Sequence, residues 1–189
     1  IAHVPEKELE TIRGAEISMI FQDPMTALNP VRKVIDQVSK VIRLHDKSLS
    51  KKEAEKYAME ILARVGITRD RVREYPHQFS GGMQQRVGIV AAMLLNPKVL
   101  LADEPTSAMD VTIQKQAVEE MLKVRDVFGT SIILVTHNIG VVNAMADNLL
   151  VLKHGHIVEM GKTDDIINNP TMDYTKKLME AVPRIKVLS

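Results

Sequence analysis

The apolar positions of this chain fall into two kinds of run, and the kind changes along its length. Residues 16–21 (EISMIF) form a short apolar run of strand length, closed by Gln22, Asp23 and Pro24. After the Asn29-Pro30 break the spacing turns helical, from about residue 34 to 44. The next helix carries the strongest signal. Ser50 and Glu53 have the spacing of a capping box, and Ala54, Tyr57, Ala58, Ile61, Leu62 and Val65 follow at helical intervals up to Gly66. Two successive helices with no strand between them predict a small helical lobe over about residues 25–78.

From Ser80 onward the pattern alternates between helix and strand. A helix is expected over residues 82–95, ended by Asn96-Pro97. Residues 99–103 (VLLAD) are a continuous apolar run, as expected of a strand buried on both faces. A helix over 112–128, stopped by Gly129, leads to a second such strand at 131–136 (SIILVT). Strand, helix, strand at this spacing reads as a βαβ unit, so the fold class is α/β with a parallel sheet. Residues 148–153 and 156–160 flank His154-Gly155 and predict a hairpin at a sheet edge. Short helices are expected at 164–168 and 173–181.

Composition narrows the field by exclusion. Lys+Arg number 25 against 24 Asp+Glu, interleaved along the chain, so no positive field argues for nucleic acid. The absence of cysteine removes disulfides, thiolate zinc and iron–sulfur sites. The longest apolar stretch, residues 87–95 (VGIVAAMLL), falls well short of the roughly 20 residues of a membrane span. With a charged, polar start and no leader pattern, the expectation is a soluble chain whose link to a membrane runs through a partner.

Chemistry concentrates in a few places. In residues 79–86 (FSGGMQQR), a Ser and two glycines open a helix, where unpaired N–H groups and the helix dipole favour an anion. An ordinary N-cap serine after a flexible turn explains the same residues. In residues 99–105 (VLLADEP), two carboxylates end a buried strand, where α/β sheets bind ligands. Asp103 suits Mg²⁺ through its water shell, and Glu104 could polarise an attacking water, with Pro105 restricting Glu104 to extended backbone. Surface acids at a strand end are the plain alternative. His137 after the second strand can donate to a phosphate oxygen or a water, and Gln22 after the first can bind water or simply start a turn.

Taken in order, these segments resemble the ABC ATPase family over nearly the whole chain. FQDPMTALNP resembles its Q-loop, FSGGMQQR its signature, LLADEP its Walker B strand, SAMD (residues 107–110) its D-loop, and THN around His137 its switch histidine. RGAEISMIFQDPMTALNP, YPHQFSGGMQQRV and DYTKKLMEAVPR are similar to the dipeptide/oligopeptide importer ATPases. The resemblance implies a partial P-loop NTPase-like sheet with an inserted helical lobe. Its segments would be 1–24 with the Q-loop, 25–78 the lobe, 79–162 the ATPase core and 163–189 a helical tail.

It also implies ATP and Mg²⁺ as cofactors. Gln22 would sense metal and nucleotide, and Asp103 would serve the metal. Glu104 and His137 would be catalytic, acting on the water and the γ-phosphate. Ser80, Gly81, Gly82 and Gln84 would contact nucleotide, and Asp110 would act across a dimer interface. The implied partners are membrane-spanning permease subunits and a second ATPase subunit arranged head to tail, at the cytoplasmic face of the cell membrane, with no nucleic acid.

Met83, Met109 and Asn138 depart from the usual signature, D-loop and post-histidine residues. More consequential, the 189 residues contain no G-x-x-x-x-G-K-[ST], which in the family precedes the Q-loop. The expectation is therefore an N-terminally truncated cassette, inactive alone because the triphosphate lacks its backbone cradle and lysine. Two competing readings are a non-transport ABC protein acting on DNA or ribosomes, and a non-catalytic docking module paired with a complete ATPase. A long coiled coil or a second cassette would mark the former, and neither is present.

Overall fold

Three short apolar runs line up in parallel, with the acidic one in the middle. In the computed structural model, which describes residues 3–22, 28–107 and 109–181, these are β1 (Ile17–Ile20), β2 (Val99–Asp103) and β3 (Ser131–Val135), in sheet order β1-β2-β3. Ile17 pairs with Val99 and Val99 with Ser131, which fixes the register throughout. The chain divides into two compact units, Ile1–Val135 and Thr136–Ser189.

The first unit opens with α1 (Glu6–Ile12) and holds the sheet, with a helical lobe between β1 and β2. The lobe comprises α2 (Val34–His45), α3 (Lys51–Arg64) and two single 3₁₀ turns, Arg71–Arg73 and Pro76–Gln78. The predicted capping box forms: Ser50 Oγ accepts from the Glu53 amide at 3.3 Å, and the Glu53 carboxylate accepts from the Ser50 amide at 2.9 Å. Helix α3 gives way at Gly66, whose φ of 76° an L side chain resists. Helix α4 (Gly81–Met93) then runs down from the lobe. Val38, Ile42, Ala58, Leu62 and Ile67 of the lobe share one apolar core with Val87, Val90 and Leu94, so the lobe and α4 pack as a single body. Truncating Leu62, which has no exposed surface, to alanine would cost about 2–5 kcal/mol.

The sheet itself is buried on one face, where the apolar runs predict two. Leu100 and Ala102 are covered, whereas their neighbours Leu101 and Val99 are only half-buried. On β3, Ile133 and Val135 stand 56% and 58% exposed, and Met19 across the register is 41% exposed. A continuous apolar run is buried on both sides only where both sides of the sheet are covered. The described residues cover one. Helix α5 (Val111–Phe128) joins β2 to β3 and ends at Gly129, with φ of 67°.

The second unit contains α6 (Ile139–Met145), β4 (Asn148–Lys153), β5 (His156–Lys162), α7 (Thr163–Asn168) and α8 (Asp173–Glu180). The hairpin turns at His154 and Gly155, both at positive φ, as a two-residue turn of the primed type requires. Strands β4 and β5 form their own two-stranded sheet rather than the edge of the parallel one. The Glu159 carboxylate on β5 accepts from the Thr171 amide at 2.8 Å, the Thr171 hydroxyl at 2.7 Å and the Met172 amide at 3.3 Å. It thereby holds the two residues that lead into α8 from a different element. Hydroxyls of Thr175 and Thr171, with the Thr171 amide, hold its pKa down at about 2.

Candidate functional site

Helix α4 begins where the sequence places SGG. Ser80 is its N-cap, with its hydroxyl accepting from the Met83 amide at 3.4 Å, so the plain capping role is present. The glycines need another explanation. Neither Gly81 nor Gly82 has a positive φ. A Cβ at Gly81 would meet nothing within 4 Å, and one at Gly82 would make only ordinary contact, 3.9 Å from Ile113 Cγ2. Glycine in a helix loses up to about 1 kcal/mol against alanine, and nothing among the described residues compensates. What the two glycines supply is bare access to amide N–H groups at an exposed helix start, the setting in which a phosphate can approach closely.

Gln84 is directed elsewhere. Its buried side-chain amide donates to the carbonyls of Pro76 at 2.8 Å and Phe79 at 3.2 Å. Rather than facing a nucleotide, as the resemblance implies, it holds the turn that precedes Ser80. The Arg71 guanidinium, stacked 5.4 Å over the Phe79 ring, braces the same turn.

Asp103 ends the central strand, half-buried and in register with Val135. Glu104 follows at φ 45°, in the left-handed region and not in the extended conformation that Pro105 suggests. The reason is that proline disfavours the right-handed helical conformation of its predecessor, and here the left-handed one meets that constraint while the turn closes. The Glu104 carbonyl accepts from the Ser107 amide at 3.2 Å and the Ser107 hydroxyl at 3.0 Å. Downstream, Gln114 Nε2 donates to the buried Thr106 hydroxyl at 2.9 Å, tying α5 to this loop.

Asp110 caps α5, its Oδ1 accepting from the Thr112 and Ile113 amides, each at 3.0 Å. Because Ile113 is also the neighbour of Gly82, the first turns of α4 and α5 lie side by side. The first unit thus joins Ser80, Gly81, Gly82 and Asp110 around two adjacent helix starts, and sets Asp103 and Glu104 at the end of the central strand.

Gln22 is exposed just past β1, while residues 23–27 of the predicted Q-loop and Ala108 of the predicted D-loop lie outside the described residues. His137 is exposed near the start of the second unit. Asn138 beside it caps α6, accepting from the Gly140 amide at 2.9 Å and the Val141 amide at 3.3 Å. Asn is among the best N-cap residues, so its replacement of Asp preserves this local job. No group of three or more His, Cys, Asp or Glu side chains converges among the described residues to hold a metal by itself. No helix there is long and apolar enough to cross a membrane.

Arg86 is the residue that sequence reasoning passed over. Its Nη1 donates to the Val65 carbonyl at 2.7 Å and its Nε to the Gly82 carbonyl at 3.4 Å. Arg86 closes the FSGGMQQR run, and its partner at Val65 is a tertiary contact that no local pattern announces.

Comparison with known proteins follows the same lines. The family description "ABC transporter" matches residues 3–107, and "Oligopeptide/dipeptide transporter, C-terminal region" matches residues 158–188. The oligopeptide transport ATP-binding protein OppD of Bacillus subtilis is 49% identical over 183 residues, covering 96% of this chain and 51% of its own length. The OppD of Salmonella typhimurium is 46% identical, covering 98% and 56%. The chain spans about half the length of the curated relatives it matches. A solved dimeric ATP-binding cassette, in a post-hydrolysis state bound to ADP and Pi, superposes with a TM-score of 0.77 at 30% identity, covering 85% of this chain and 68% of its own. With its α/β architecture and motif order in agreement with that family description, the chain belongs to the ABC transporter family.

Proposed function

We propose that the chain acts within an ATP-hydrolysing subunit that powers the import of peptides. The observation that carries this reading is the pair of glycines at the start of α4, demanded by neither backbone nor packing among the described residues. In this reading Ser80, Gly81 and Gly82 meet the γ-phosphate of ATP held by a second subunit in a head-to-tail dimer. Asp110 works across that interface. Asp103 serves Mg²⁺, Glu104 the attacking water and His137 the γ-phosphate, with Gln22 sensing metal and nucleotide. A lone half-buried carboxylate suits Mg²⁺ only when phosphate oxygens and water complete the shell, so metal and nucleotide would bind together. The lobe at 25–78 would meet membrane-spanning permease subunits, holding the protein at the cytoplasmic face. Two similar proteins are named for oligopeptide transport, and a third for dipeptide transport.

The test follows from the missing G-x-x-x-x-G-K-[ST] in these residues. Mixed with a complete cassette of the oligopeptide importer family, the chain should raise ATP turnover, whereas alone it should turn over none. Ser80→Ala together with Gly82→Asp in the chain should abolish the gain. Glu104→Gln in the chain should leave it, because the nucleotide turned over is held by the partner's loop. Turnover by the chain alone, or a gain indifferent to Ser80 and Gly82, would overturn the reading.

A further inference from the structure

Arg86 occupies a junction that none of the proposed roles uses. The Val65 carbonyl it grips is at the C-cap of α3, among groups that a helix end leaves without intrahelical partners. A cation there is favoured by the helix dipole as well as by the hydrogen bond. Its Nε reaches back, at a long 3.4 Å, to the Gly82 carbonyl within the first turn of α4. Gly66 is glycine for two reasons: its φ of 76°, and a Cβ that would lie 2.8 Å from Arg86 Nη1. Burial pushes the guanidinium's pKa down, and Asp110 at the start of α5 offsets part of that. A cleft of about 340 Å³ opens beside it, lined by Gly66, Arg86, Arg64, Gln116 and Glu119, so a displaced guanidinium has somewhere to go.

We propose that Arg86 is a positioning residue for the Ser80–Gly82 turn: it ties the first turn of α4 to the end of α3 and so fixes the direction of the Gly81 and Gly82 amides. The clamp rests on the signature reading above for its functional meaning, though not for its existence. One side chain spans α3 and α4 and faces the cap of α5.

Amide hydrogen exchange on the chain alone tests the clamp directly. Arg86→Gln should speed exchange about tenfold or more at Met83 and Gln84, whose amides bond to Ser80, while leaving β2 unchanged, the size expected when a charged hydrogen bond is lost locally. Gly66→Ala should do the same by pushing the guanidinium into the cleft. Gly129→Ala, equally strained but with open space around it among the described residues, should leave Met83 and Gln84 untouched. Arg86→Lys should keep the ammonium on the α3 terminus but restore Met83 and Gln84 only in part, since a point charge replaces a fork. In the mixture with a complete cassette, at saturating chain, Arg86→Gln should lower kcat about tenfold with KM for ATP within about twofold, and Arg86→Lys should recover part of kcat. Unchanged exchange at Met83 and Gln84, or a uniform rise that includes β2, overturns the proposal. If the wild-type chain gives no gain in the mixture, the signature reading fails and the exchange arm still decides the clamp.

Discussion

The Glu104 amide donates to the Val135 carbonyl at 2.8 Å while Glu104 itself sits at φ 45°. The central strand therefore hands its last hydrogen bond to a residue bent away from strand geometry. A non-glycine residue held there carries about 1–2 kcal/mol of strain. Replacing Glu104 by alanine keeps that strain, and replacing it by glycine releases it. Glu104→Gly should be more stable than Glu104→Ala by about 1 kcal/mol in urea titration, with both lacking the carboxylate. Equal stabilities would mean that the turn relaxes when the side chain is shortened.

Gly66 and Gly129 both end helices at similar positive φ, but only Gly66 has a neighbour pressed against it. Gly129→Ala should cost about 1–2 kcal/mol from backbone strain alone. Gly66→Ala should cost more, because it also loosens the hydrogen bond from Arg86 to Val65, a charged bond worth about 1.5–3 kcal/mol. Denaturant midpoints of the two variants read the difference.

Glu159 gives the second unit a dependence on acid. Its folded pKa, about 2, lies below the ordinary value of 4.5, so its contribution is fully present above that ordinary value. It fades as pH falls from 4.5 towards 2. Glu159→Gln should lower the thermal midpoint by a constant amount at neutral pH. That gap should close across the acid window, as scanning calorimetry of both proteins at a series of pH values would record. A gap that persists at pH 2 would mean that the side chain acts by shape and not by charge.

Gln85 stands out within α4. It is 1% exposed, and neither amide atom of its side chain has a hydrogen-bond partner in the structure. An unpaired buried amide is costly, about 1–3 kcal/mol, whereas a methionine of similar length carries no such penalty. Gln85→Met should therefore raise the stability of the isolated chain by about 1 kcal/mol or more. A fall instead would mean that the amide engages a partner in solution.

Much of this architecture was legible because it is local. The Ser50–Glu53 box, the stop at Gly66 and the run at 99–103 each carry their signal within a few residues, and each forms; the run expected at 131–136 forms as Ser131–Val135. Motif order along the chain was enough to point to the family. What escaped depends on who covers whom. The apolar composition of β3 does not say that Ile133 and Val135 stand open, and the proline after Glu104 does not choose between extended and left-handed backbone. Gln84 looks in sequence like any polar residue of a signature, yet two carbonyls upstream claim it. The contact between Arg86 and Val65 spans 21 residues, beyond the reach of helix periodicity.

The open side of the sheet also governs how the molecule behaves as a colloid. Met19, Ile133 and Val135 form a greasy platform at 41%, 56% and 58% exposure, and β3 is an edge strand of the sheet among the described residues. Such a surface drives face-to-face clustering that grows with concentration. Because the attraction is hydrophobic, sulfate would aggravate it and chilling would relieve it. A solution of the isolated chain should scatter less light in the cold than on the bench, and converting Ile133 and Val135 to threonine should flatten that temperature response.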